Sequence, residues 1–505
     1  SYPAIFSGGA VTGPAVGGVP VTGIRPPVHW KIAPPRLFPQ ALTRGGRPPT
    51  VACPVRDHPA IFTKLTRANE IGANCYLLEI AGVRIVLDAG MHPKEDGAAA
   101  IPRFEDLAPD SVDAIIISHS HLDHVGTLPL LMREQPSARI FMTPPTHSLT
   151  GALLHNSVNV MKAIRTEQGV AEYPLFTHRE VDNAELRWET RDYEKPFDVD
   201  FEAKVRATFF DAGHILGSAG VLIEAAGKKI FYSGDVHFDD HALMRGAAFP
   251  DLSGLDVLIM ETTRGDAERA QHYTRESEEG RFIDSINRAL ERGGSALIPV
   301  FAIGKTQEVL TMVYDNRERG ELPDVPVRIG GLSTKMTIIY DKFANSSRRR
   351  HPGFEILRDL NPNTGSRRKR QEIQAEPGCI YALSSGMMTE KTVSNRFARH
   401  FISNPKNTVL FVGYTDPSTP GARIKKTPRG GAVDLDPALP PVVLDCEVET
   451  FDFSGHAPRE QLLAFGRKAA ATRTLLVHGD PGALDWFQER LQGSEIPGPG
   501  KQVFL

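Results

Sequence analysis

Six consecutive residues, His119-Ser120-His121-Leu122-Asp123-His124, constrain this chain more than any other stretch. They follow directly on the apolar run Asp113-Ala114-Ile115-Ile116-Ile117-Ser118, which reads as a buried strand. In extended backbone, residues i and i+2 share a face, so His119 and His121 can grip one metal ion. Asp123 and His124 then turn away and can grip a second. Three imidazoles and a carboxylate form a borderline-metal donor set suited to zinc. The alternative use of such a stretch is a solvated polar loop, which gains nothing from an apolar strand before it.

The same texture recurs along the chain. Arg84-Ile85-Val86-Leu87 ends on Asp88, and Lys229-Ile230-Phe231-Tyr232-Ser233-Gly234 ends on Asp235. Asp256-Val257-Leu258-Ile259-Met260 ends on Glu261, and Thr474-Leu475-Leu476-Val477 ends on His478. Segments with helical patterning, such as Ser277 to Arg292 and Gly304 to Arg319, lie between the runs, so the chain reads as α/β. Functional side chains of α/β folds collect at strand ends, where the sheet fixes geometry and loops face a cleft.

The first 60 residues break this texture. They hold twelve prolines and eight glycines, and no acid precedes Asp57. Pro/Gly spacing of that kind prevents helix and sheet from propagating, so residues 1–59 read as a mostly disordered arm without catalytic residues. No stretch approaches the roughly 18 apolar residues of a membrane span, so no membrane partner is expected. The cysteines Cys53, Cys75, Cys379 and Cys446 form no CxxC pair, which excludes a Cys-rich zinc finger and makes reduced, cytoplasmic chemistry the default. With 58 Lys and Arg against 61 Asp and Glu, bulk charge does not drive nucleic-acid binding, but a local basic groove remains open.

The HxHxDH motif after a strand resembles the metallo-β-lactamase superfamily, and further residues extend the likeness. Asp88 matches its first aspartate. His214, in Asp211-Ala212-Gly213-His214-Ile215-Leu216-Gly217-Ser218, matches its third motif, and Asp235 its metal-bridging aspartate. Read alone, each has a blander use as a turn residue. Glu261-Thr262-Thr263-Arg264-Gly265, Phe453-Ser454-Gly455-His456 and Val477-His478-Gly479 resemble the three later motifs of the β-CASP nucleases. The fold this implies is a metallo-β-lactamase αββα sandwich interrupted by an inserted α/β β-CASP domain. The expected division is an arm (1–59), a first sandwich part (60–262), the insertion (263–430) and a sandwich return (431–505).

The resemblance also implies ligands and roles. His119, His121 and His214 would hold one Zn²⁺, and Asp123, His124 and His478 a second. Asp235 and a hydroxide would bridge the two. Asp88 would orient a ligand, and His456, paired with Glu261, would protonate the leaving oxygen. A carboxylate partner keeps an imidazole protonated near neutrality. The implied reaction is hydrolysis of RNA phosphodiester bonds by the metal-bound hydroxide.

Two basic runs, Arg348-Arg349-Arg350 and Arg367-Arg368-Lys369-Arg370, together with Ser385 in a Gly-containing turn, are candidate contacts to single-stranded RNA. Runs of this kind more often lie in solvated loops. Relatives often pair, so a homodimer is a further expectation. The rivals on the same site are DNA processing, hydrolysis of small thioesters or lactones, and a non-catalytic RNA-binding subunit. Two departures stand out: Arg264 sits where many relatives carry tyrosine, and His237, just past Asp235, adds an imidazole expected beside rather than on the metals.

Overall fold

The apolar runs become the strands of two facing sheets. In this computed structural model, residues 59–365 and 374–505 are described. The arm, apart from its last residue, and the run Arg367–Arg370 lie outside them. The first sheet has the order Gln502–Phe504, Ile61–Lys64, Tyr76–Ile80, Val83–Leu87, Ala114–Ile116, Arg139–Met142, Trp188–Thr190. The second has the order Ser494–Glu495, Arg473–Val477, Val257–Glu261, Lys228–Tyr232, Ala219–Ala225, Val205–Asp211, Phe197–Asp198. Their inner faces share one core that includes Phe62, Tyr76, Phe141, Phe209 and Ile259. Each such side chain contributes about 1.5–3 kcal/mol by leaving water.

Each sheet buries its outer face under helices. Pro144–Gln168 and His178–Glu185 pack on the first sheet through Leu154, Val158 and Val181. Arg459–Ala469 and Pro481–Gln488 cover the second through Leu462, Leu484 and Phe487. The result is the expected four-layer αββα sandwich. A third sheet is wholly parallel, in the order Val327–Ile329, Ile380–Leu383, Ala296–Pro299, Thr408–Phe411, Glu447–Thr450. Helices Arg275–Glu291 and Lys305–Glu318 and the segment Val393–Ala398 pack around it. Strands buried on both faces are what near-continuous apolar runs signify.

One boundary is corrected. The return to the sandwich was expected at residue 431, yet Glu447–Thr450 still pairs in parallel with Thr408–Phe411. The chain leaves the third sheet only after Thr450, because Glu447–Thr450 forms that sheet's outer strand beyond Thr408–Phe411.

Register brings the strand ends together. Leu87 lies opposite Ile116, and Tyr232 opposite Ile259. Glu261 lies opposite Val477, which sets His478 beside Glu261 although 217 positions separate them in sequence.

Candidate metal centre and its acid–base pair

The strand-end side chains converge in three groups of donors: His119, His121, His214 and Asp235; Asp123, His124 and His478; and Asp235, Glu261 and His456. In the first group His121 Nδ1 lies 3.2 Å from His119 Nε2 and 3.0 Å from His214 Nε2. Supporting contacts set the tautomers. His214 Nδ1 donates to the Gly455 carbonyl at 2.7 Å, leaving Nε2 a bare lone pair. Ser118 Oγ donates to Asp88 Oδ2 at 2.8 Å, so it accepts from His119 Nδ1 at 3.0 Å, and His119 Nε2 is bare as well. Burial first, then neighbouring imidazoles, hold His119 and His214 well below the usual histidine range, and burial lowers His121. Neutral imidazole nitrogens crowded at this distance repel unless a cation lies among them.

Asp235 stands between the first two groups. Its Oδ2 lies 3.5 Å from His119 Nε2 and 3.6 Å from His214 Nε2. Its Oδ1 lies 3.4 Å from His124 Nε2 and 3.0 Å from His478 Nδ1. That Oδ1 is buried and makes no hydrogen bond. An orphaned carboxylate oxygen costs too much to leave unpaired, so the donor set fits a cation on each side of Asp235. Burial alone would raise the Asp235 carboxyl, but His478, His124 and His119 outweigh it and hold it well below the usual range. His478 shows the reciprocal effect: against burial, Asp235 and Asp123 push it up to about 10. Positive charge is thus demanded at this point, whether proton or metal supplies it.

Asp88 braces this half of the site without touching Asp235. Its Oδ1 accepts Ser118 N–H at 2.7 Å; its Oδ2 accepts Tyr232 O–H at 2.6 Å and His124 Nδ1–H at 2.8 Å. The backbone at Asp88 has φ of 61°, a left-handed turn that swings the carboxylate off the strand and under the histidine. Outer hydrogen bonds of this kind fix which ring nitrogen faces the metal.

His456 completes the third group. Its Nδ1 lies 3.2 and 3.3 Å from the two oxygens of Glu261, and 3.8 Å from Asp235 Oδ2. Glu261 is itself buried and accepts Val236 N–H at 2.7 Å. Burial opposes a charged His456, but Glu261 and then Asp235 raise its pKa above the ordinary value.

Three consecutive family models match this chain: the metallo-beta-lactamase superfamily over residues 68–283, the Beta-Casp domain over 306–424, and the Zn-dependent metallo-hydrolase RNA specificity domain over 441–499. The chain belongs to the β-CASP branch of the metallo-β-lactamase superfamily. Among similar proteins, an endoribonuclease YSH1 of Saccharomyces cerevisiae is 30% identical over 446 residues, covering 85% of this chain and 56% of the relative. The cleavage and polyadenylation specificity factor 73 of Drosophila melanogaster is 31% identical over 438 residues, covering 85% and 61%. The chain therefore spans little more than half the length of these curated relatives. A solved structure from Enterococcus faecalis, of a protein of unknown function, aligns with a TM-score of 0.53 at 13% identity. It covers 89% of this chain and 100% of the other, a likeness of fold alone.

The other sequence-derived candidates divide. Arg349 is buried, and its guanidinium donates to the carbonyls of Phe354, at 2.6 Å, and Tyr340. It holds a turn together and is out of reach of a bound strand, which corrects its reading as an RNA contact. Arg348 and Arg350 are exposed, although Arg348 also reaches Asp211 Oδ2 at 3.3 Å. Ser385 is half-buried and its Oγ accepts Thr389 N–H at 3.1 Å. His237 is buried, stacks on His241 at 4.2 Å and belongs to none of the three donor groups.

Sequence reasoning missed the braces. Asn74 Nδ2 lies 3.1 Å from His124 Nε2, and Thr263 Oγ1 lies 3.1 Å from His478 Nδ1. Tyr232 and Ser118 carried a usable signal, since each is a polar-tipped residue at the end of an apolar run that leads to a member of a donor group. No helix among the described residues is long and apolar enough to cross a membrane.

Proposed function

We propose that this chain is a zinc-dependent ribonuclease that cuts single-stranded RNA internally. The observation that carries the reading is Asp235: its two oxygens each face a separate set of imidazoles, with His456 and Glu261 at one side. In this reading His119, His121 and His214 would hold one Zn²⁺ and Asp123, His124 and His478 the other, with Asp235 between the two sets. When bound, such a pair lowers the pKa of water and neutralises charge on a phosphate.

The chain's own groups do the rest. Asp88, through His124, fixes the ligand geometry. Glu261 keeps His456 protonated, and His456 delivers that proton to the departing 3′ oxygen, a role worth about 10²–10⁴ in rate. Arg348, Arg350 and Ser385 are assigned the contacts to the RNA backbone. Recognition through phosphates carries little sequence preference. The names of the relatives, endoribonucleases and cleavage factors, support RNA as substrate and an internal cut as the mode. Cys75, Cys379 and Cys446 are buried free thiols, which fits a reducing, cytoplasmic-type compartment.

The test is digestion of matched 5′-labelled single-stranded RNA and DNA, with metal analysis of the same preparation. Internal RNA fragments and close to two zinc ions per chain are expected. His121→Ala and Asp123→Asn should abolish cleavage without unfolding the protein. Preferred cleavage of DNA, release of mononucleotides, or a zinc-free active protein would each overturn this assignment.

A further inference from the structure

Two loops meet beside the metal centre, and a cluster of charged side chains joins them. One loop leaves the sandwich after Glu261; the other returns to it through Phe451–His456. Arg264 lies three residues past Glu261, and Asp452 four residues before His456. The Arg264 guanidinium grips the Asp452 carboxylate with both ends, Nη1 to Oδ1 at 2.7 Å and Nη2 to Oδ2 at 2.9 Å. Arg269 Nε adds a longer contact of 3.4 Å to Oδ2.

The backbone of the returning loop is held as firmly. Asp452 N–H donates to Glu278 Oε1 at 2.7 Å, and Tyr273 O–H donates to the Asp452 carbonyl at 2.8 Å. The half-buried Lys305 ammonium donates to the Phe453 carbonyl, and the Arg275 guanidinium lies 4.6 Å over the buried Phe453 ring. Beyond these two residues only Ser454 and Gly455 remain before His456, and the Gly455 carbonyl is held by His214. None of the clamping side chains lies in a donor group of the metal centre.

A bidentate arginine–carboxylate pair is directional as well as strong, so it fixes relative position rather than merely attracting. The pair spans the two elements whose side chains must stay paired, Glu261 and His456. We propose that Arg264 and Asp452 are positioning residues for the general acid: their ion pair locks the loop that presents His456 against the strand that presents Glu261. This rests on the ribonuclease reading only for the identity of the acid.

The experiment compares Asp452→Asn and Arg264→Gln with the parent protein on two substrates, with metal content measured throughout. One is 5′-labelled single-stranded RNA, whose leaving oxygen needs a proton. The other is bis(p-nitrophenyl) phosphate, whose weakly basic leaving group needs little help. Misplacing a proton donor should lower kcat on RNA roughly ten- to a hundredfold with KM changed less than about threefold. The aryl diester rate and the metal content should stay within about twofold, since the acid contributes little there. In a His456→Ala background, adding Asp452→Asn should cause no further loss on RNA. Equal losses on both substrates, additive losses with His456→Ala, or an unchanged kcat would overturn the proposal.

Hydrogen exchange gives a readout that needs no RNA cleavage. Asp452→Asn should speed exchange of the amides from Phe453 to Ala457 and leave those of Val257–Glu261 protected. Unchanged exchange in the loop would also overturn the clamp. A parent protein that fails to cut RNA would sink the ribonuclease reading, while the exchange result would still decide this one.

Discussion

Replacing Asp88 by asparagine should weaken one metal position and spare the other. Asp88 is fully buried and carries four donors on two oxygens: Ser118 N–H on Oδ1, and Ser118 O–H, Tyr232 O–H and His124 Nδ1–H on Oδ2. In asparagine the amide oxygen must face Ser118 N–H, because that donor cannot turn. The amide NH₂ then takes the place of Oδ2. Its two hydrogens go to the hydroxyls, which rotate to accept, and His124 Nδ1–H is left facing a nitrogen that cannot accept, which favours moving that proton to Nε2. That nitrogen is the one facing Asp235 Oδ1, and once protonated it cannot bind a cation.

The expected penalty on metal affinity at the Asp123–His124–His478 position is about 10- to 100-fold, or about 1.4–2.7 kcal/mol. The stability of the metal-free protein should change by only about 1–2 kcal/mol, since two of the three hydrogen bonds are re-formed in reverse. Asparagine accepts the left-handed backbone at this position as readily as aspartate, so strain adds nothing. A competition titration with a chromophoric chelator at neutral pH reads the result. The parent should surrender its two ions over a narrow range, and the variant should lose one well before the other. Equal retention of both ions by Asp88→Asn would refute the tautomer argument.

Glu261→Gln should move the alkaline limb of the pH–rate profile to lower pH. The reason is that Glu261 raises His456, and the protonated acid is lost as pH rises through its pKa; an unmoved limb would exclude Glu261 as its partner. Burial pushes Asp211 up to about 6, so its contribution to stability is present at low pH and is lost as pH rises through about 6, amounting to about 3 kcal/mol. Urea unfolding of the parent and of Asp211→Asn across that window should show this loss in the parent alone, and parallel curves would remove the burial argument. Arg349→Ala should cost about 2–4 kcal/mol of stability by stranding two buried carbonyls, while the salt dependence of RNA binding stays unchanged. A flattened salt slope in that variant would restore Arg349 as an RNA contact.

The sandwich was legible because buried strands announce themselves as short apolar runs, and each run named its own terminal candidate site residue. Asp88, His119, Asp235, Glu261 and His478 all sit where their strands stop, so local pattern sufficed to find them. What local pattern does not carry is register. That Glu261 neighbours Val477 depends on two distant strands pairing, and only the likeness to a family gave any hint of it. The fate of Arg349 was hidden for a related reason. Three consecutive arginines look alike in sequence, yet a tight turn points the middle one inward between Tyr340 and Phe354. The late return after Thr450 was equally hidden, since two-residue strands at Ala432–Val433 and Val442–Val443 interrupt the pattern before Glu447–Thr450 resumes it.

The chain passes between the sandwich and the third sheet beside Glu261 on its way out and beside His456 on its way back. Between these crossings the two parts share one buried cluster, in which Leu149, Leu216 and Leu243 pack with Val309, Met336 and Tyr340. The seam is therefore filled, and Glu261 and His456 keep their places through side-chain packing as well as through the chain.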